Sequence, residues 1–215
     1  MTTTVTFQTS PVYDFNATSG FYVGTGNNLV GTTVTAYWDD ATNETATFVD
    51  SGGTRGDAIG TGWRLYLDGN DGPGVGVVSP QLPYYADVWN FIFEGTTKTL
   101  TKLVIDSEQS TTYAMFDADN STLPPSGTPG SGGGITWEIF SGLSGTDVAV
   151  TYDKCLKFYF DSVPYEDLYL RITLEFSGTA VTSDFSFFQD HDYADAAFVP
   201  PAPSAITRRH VRIHA

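Results

Sequence analysis

Asp167-Leu168-Tyr169-Leu170-Arg171-Ile172-Thr173-Leu174-Glu175-Phe176 alternates polar and apolar residues without a break. A period of two is the pattern of a β-strand with one face buried and the other in water, so it predicts Leu168, Leu170, Ile172, Leu174 and Phe176 on the inner face. Outward from this strand, similar segments cover residues 5–7, 29–38, 44–50, 63–68, 87–94, 100–106, 113–116, 135–140, 148–160 and 184–188. They are split by Gly, Pro, Asn and Asp, and Asp68-Gly69, Asp71-Gly72, Ser141-Gly142 and Ser144-Gly145 supply turn chemistry. No long segment carries a helical apolar period with a capped start and stop. The chain therefore reads as all-β, a two-sheet antiparallel β-sandwich or jelly roll of about ten strands with extended terminal arms.

A chain of 215 residues suits one core rather than two. Residues 1–25 read as an N-terminal arm and first strand, 26–198 as the sandwich body, and 199–215 as a C-terminal arm that is Pro-rich and then basic. The run Leu123-Pro124-Pro125-Ser126-Gly127-Thr128-Pro129-Gly130 reads as a long exposed loop inside the body. In the arm, Ile206, Arg208, Arg209, Val211, Arg212 and Ile213 alternate like an edge strand and form the candidate assembly segment.

The net charge is −15 with only 16% charged residues. Arg208, Arg209 and Arg212 lie beyond Asp195, the last acidic residue, so residues 1–207 carry three charges more, a net −18. Such a field repels nucleic acid and anionic membrane and attracts divalent cations or basic partners. Cys155 is the single cysteine, which excludes an internal disulfide and reads as a small buried hydrophobe. No apolar run approaches the ~20 residues of a membrane-spanning helix.

Carboxylates and amides cluster at Asp68, Asn70 and Asp71, at Asp117, Asp119 and Asn120, and at Asp190, Asp192 and Asp195. A calcium ion takes six to eight oxygens, and each of the first two clusters offers three from one turn. The same residues also build Asx-turns with no ion, and sequence leaves both readings open. Trp38, Trp63, Trp89 and Trp137 each fall in a predicted strand, where they pack a core or, if exposed in a row, form a sugar-stacking platform. His191, His210 and His214 are too few and too scattered for a nucleophilic triad or a zinc site, and no Gly-x-Ser-x-Gly elbow occurs. A carboxylate pair such as Glu138 with Glu175 reads as solvated strand-face charge. An enzyme is not expected, and no cofactor is required beyond an optional calcium ion.

At Asn28-Leu29-Val30-Gly31-Thr32-Thr33-Val34-Thr35, Glu44-Thr45-Ala46-Thr47, Leu103-Val104-Ile105-Asp106, Met115-Phe116-Asp117 and Gly127-Thr128-Pro129-Gly130-Ser131 the chain resembles bacterial, cyanobacterial-type extracellular proteins that carry the PEP-CTERM sorting signal. The segments 167–176 and 187–192 fit the same pattern. The group ends in Val-Pro-Glu-Pro, an apolar helix and arginines, whereas Val199-Pro200-Pro201-Ala202-Pro203-Ser204 runs into arginines without that helix. The resemblance implies a β-sandwich of surface or matrix type. Met1 leads straight into Thr2-Thr3-Thr4-Val5, with no basic start, apolar run or cleavage site of a secretory segment. The expectation is a structural virion surface component, a phage decoration, cement, spike or fibre-associated subunit that assembles with itself and other particle subunits through its arms. The alternative is an extracellular matrix or carbohydrate-binding module, using calcium and a glycan partner.

Overall fold

A computed structural model describes residues 2–8, 13–16, 21–69, 88–118, 136–160, 163–194 and 210–213. The chain is a β-sandwich of two sheets. The large sheet holds β1 (Thr3–Gln8), β2 (Tyr13–Asn16), β3 (Phe21–Val23), β4 (Thr33–Trp38), β5 (Asn43–Thr47), β10 (Leu100–Asp106), β11 (Ala114–Asp117), β13 (Thr146–Phe160), β14 (Val163–Gly178), β16 (Asp190–Ala194) and β17 (His210–Ile213). The small sheet holds β6 (Val49–Gly52), β7 (Arg55–Gly60), β8 (Trp63–Asp68), β9 (Val88–Phe93), β12 (Glu138–Ser141) and β15 (Phe185–Phe188). The only described helix is a 3-10 turn, Gly26–Leu29, where the sequence pattern had extended the strand of 29–38 too far back.

The large sheet runs β17-β1-β13-β14-β10-β4-β5, and a branch, β14-β11-β16-β3, leaves it beside β10. Pairing is antiparallel except where β13 meets β1 and β2 in parallel. The small sheet runs β12-β15-β9-β8-β7-β6. Between them, aromatic rings fill the core: Trp63 stacks on Phe91 at 5.6 Å, Phe91 on Phe185 at 5.2 Å, and Trp89 on Phe187 at 5.9 Å. Large flat side chains at alternating positions give a sandwich most of its buried apolar area, which explains the aromatic content.

The strand count exceeds the ten or so expected, and the reasons are local. The predicted strand 44–50 is two strands that bend at buried Phe48, β5 in the large sheet and β6 in the small one. β7 was hidden because Arg55-Gly56-Asp57-Ala58-Ile59-Gly60 reads as turn. Its Gly56 is needed for close approach: a Cβ there would sit 1.9 Å from the carbonyl oxygen of Gly26. The 3-10 turn thus lies directly on the small sheet.

One expectation fails in the strand that decided the fold. Ile172 and Leu174 enter the core, but Tyr169 joins them there, while Leu168 and Leu170 are buried outside that core. Across the hairpin, Lys154 has a φ of 57°, and Cys155 rather than Lys154 resumes the inward series after Tyr152. A residue in the left-handed region breaks the pleat, so both strands exchange faces at 154 and 170 while the register holds, with Asp153 opposite Arg171 and Cys155 opposite Tyr169. From that point β14 presents leucines where the pattern predicted water.

Candidate metal centre

The candidate site lies beside the strand that exchanges faces, where Asp117 of β11 stands opposite Leu168 of β14. β11 and β16 are antiparallel neighbours, with Asp117 opposite Asp190, Phe116 opposite His191 and Met115 opposite Asp192. Phe116 and Ala118 belong to the core, so Asp117 between them projects from the other face. Asp190 shares that face by register, and Asp192 follows two residues later on the same side. All three aspartates are buried, with exposures of 0%, 2% and 0% for Asp117, Asp190 and Asp192. One ligand oxygen from each can be chosen so that all lie within 4.8 Å of one another.

The strands are held from behind by a polar clamp. Gln189 is fully buried; its Nε2 donates to the carbonyl oxygens of Asp117 at 3.2 Å and Asp190 at 2.8 Å. Its Oε1 accepts from the Tyr152 hydroxyl, which accepts from the Trp137 amide at 2.6 Å. Trp89 Nε1 donates to the Gln189 carbonyl at 2.9 Å. Burial pushes the Tyr152 phenol well above its ordinary range, against the pull of the Trp137 amide, and the charge of Asp117 pushes it the same way. It serves as a neutral hydrogen-bonding group. On the core side His191 meets the Trp89 ring edge-on at 5.8 Å, and its Nε2 donates to the Thr25 carbonyl at 3.2 Å. A Cβ on Gly24 would lie 2.3 Å from that nitrogen, so only glycine lets the chain just after β3 pass the imidazole.

Three oxygen donors and no imidazole or thiolate make a hard set, suited to calcium, magnesium or manganese rather than zinc. Two oxygens on one calcium ion lie at most about 5 Å apart, given bonds of ~2.3–2.6 Å, and the triad meets that limit. Three carboxylates held this close away from water repel one another unless protons or a cation offset their charge.

The sequence had placed these residues in two separate turn clusters. Of the first candidate site, Asp68 is exposed at the end of β8, where its Oδ1 accepts from Thr54 Oγ1 at 3.2 Å; Asn70 and Asp71 lie outside the described residues. Asp117 is a strand residue rather than a turn residue, and Asp119, Asn120 and Asp195 also lie outside the described residues. The Asp190-x-Asp192 spacing was the missed signal, since alternate acids share one face of a strand.

The four tryptophans require a correction: all are buried, at 5%, 0%, 0% and 3% for Trp38, Trp63, Trp89 and Trp137, so they form no exposed sugar platform. Their apolar area is worth more inside the sandwich than in water. An open groove of about 450 Å³ near Trp38 is lined in part by Tyr37, Lys102, Glu175 and Phe176. There the Lys102 ammonium sits 4.0 Å from the Tyr37 ring centre and covers the face a sugar would stack on. Glu138 and Glu175 are exposed and lie in different sheets. Of the candidate assembly residues, Val211, Arg212 and Ile213 fall in β17, paired with β1; Ile206, Arg208 and Arg209 lie outside the described residues. No described helix is long and apolar enough to cross a membrane. No protein-family model, curated protein or solved structure matches this chain.

Proposed function

We propose that the protein is a non-enzymatic structural subunit, a surface component of a virion, that assembles through its C-terminal segment. The observation that carries this reading is the pairing of β17, drawn from the basic end of the sequence, onto the edge of a sheet in an acidic body. A strand at a sheet edge offers a row of backbone donors and acceptors, the simplest means by which β subunits join. The resemblance to surface and matrix sandwiches supports the same reading. Removing residues 206–215 and measuring particle incorporation, or oligomer size by light scattering, tests it. Loss of assembly with an unchanged β circular dichroism spectrum is the expected result; undiminished assembly overturns the reading.

A second reading, a calcium-dependent extracellular module, is favoured by the aspartate triad. A cation bound to Asp117, Asp190 and Asp192 ties β11 to β16 and stabilises the folded state by mass action, about 2.7 kcal/mol at a hundredfold excess over Kd. In a domain of this size that corresponds to a rise in Tm of roughly 5–10 °C. Melting curves in calcium and in excess chelator measure it, and coincident curves exclude the ion.

A further inference from the structure

β17 is antiparallel to β1, with Val5 opposite Ile213, Thr6 opposite Arg212, Phe7 opposite Val211 and Gln8 opposite His210. Among the described residues β1 is its single strand neighbour. β1 itself is fixed to the body on its other side, where it pairs with β13 and Thr2 accepts from the Val148 amide at 3.0 Å. In the sequence, fifteen residues, 195–209, separate β17 from β16. Fully extended, that length reaches about 50 Å, some three times the ~17 Å radius of gyration of a compact domain this long. The tether therefore does not dictate whose β1 the strand must join.

We propose that β17 is exchanged between copies, so that the β17 of one chain completes the large sheet of a second chain by pairing with its β1. This rests on the assembly reading above and names its partner as another copy of the same chain. Charge decides between exchange and the obvious alternative, in which two copies meet edge to edge through their own β17 strands. Edge-to-edge pairing sets two basic segments side by side, and like charges on adjacent strands are destabilising. Exchange keeps each basic segment against an acidic body, carrying −18 over residues 1–207 once the three terminal arginines are set aside from the chain's −15. It also reuses the backbone pairing of the single chain, so the two states differ mainly in tether entropy and concentration.

Paired cysteines read the difference directly. Val5→Cys with Ile213→Cys and, separately, Thr6→Cys with Arg212→Cys put thiols at directly opposed positions. Adjacent opposed pairs in an antiparallel ladder alternate, so one of the two is the closer, non-hydrogen-bonded kind, with Cα atoms ~4.5 Å apart and within disulfide reach. The native Cys155 is buried and does not compete. After oxidation, non-reducing denaturing electrophoresis gives the linkage and light scattering gives the native size. Disulfide-linked dimers or longer chains, matching the native oligomer, are expected. Links only within chains of a native oligomer overturn exchange while assembly stands; links only within chains of a monomer overturn both. Failure of both pairs to oxidise overturns the β17–β1 pairing and the exchange with it.

Discussion

The large sheet carries two acidic groups that point away from the core, roughly 10 Å apart along β14, and their chemistry is opposite. At the first, Asp106 stands opposite Arg171 and takes hydrogen bonds from its Nε at 2.9 Å and Nη2 at 2.6 Å. Lys154 Nζ adds a contact at 2.7 Å to Asp106 and another to Glu108. At the second, Asp117 stands opposite Asp190, and Asp192 closes the group. Cross-strand register thus gives one cluster its counter-charge from this sheet and concentrates like charge in the other. The first is explained by folding alone, whereas the second brings three carboxylates together, the oxygen set behind the calcium proposal.

The largest effect that would break this contrast is at Asp190. If the triad holds calcium, Asp190→Asn lowers Tm by several degrees in calcium, and in excess chelator it matches or exceeds the wild type because a like charge has been removed. That reversal of sign is the measurement. A loss of the same size in both buffers would make Asp190 an ordinary buried polar residue.

The next concerns Lys154, which pairs with Asp106 while holding a φ of 57°. Lys154→Ala is expected to cost about 1–3 kcal/mol, the usual range for a hydrogen bond to a charged group. Lys154→Gly should cost less by ~0.5–1 kcal/mol, since glycine adopts positive φ without strain. Urea titration of both variants checks the order, and a Gly variant no more stable than the Ala variant would mean that the backbone at 154 is not strained.

The smallest effect is on acid stability. Burial opposes ionisation of Asp106, but hydrogen bonds from Lys154 and Arg171 outweigh it and hold the carboxyl below the usual range. A depressed folded pKa adds stability above the unfolded value, ~3.9, and that stability is lost as pH falls through the folded one. Asp106→Asn should therefore flatten the decline of stability below about pH 4, as followed by thermal melts at stepped pH. An unchanged slope would assign that decline to other carboxylates.

Much of the sandwich could be read one strand at a time. Alternation in 63–68, 100–106 and 148–160 marked β8, β10 and β13, and the aromatic residues in 87–94 and 184–188 marked β9 and β15. β7 and β16 were missed because Gly56 and the acidic run Asp190-His191-Asp192 look like turn chemistry out of context. The triad was legible only as parts of two clusters, Asp117 in one and Asp190 with Asp192 in the other. Asp117 lies about seventy residues before Asp190 and Asp192 in sequence, and nothing local states that β11 and β16 are neighbours.

The sequence by itself determined that the chain is all-β, that its strands carry an aromatic interior, that Cys155 makes no internal disulfide, and that its charge is divided between an acidic body and a basic end. These follow from side-chain period and composition, which are properties of single segments. Only the tertiary structure decided which face Leu168, Leu170 and Tyr169 occupy, that all four tryptophans are inside, and that Asp117 meets Asp190 and Asp192. The reason is that a strand's period fixes which residues share a face, but a break in the pleat such as that at Lys154 resets the period, and strand partners are chosen by packing across the whole sandwich.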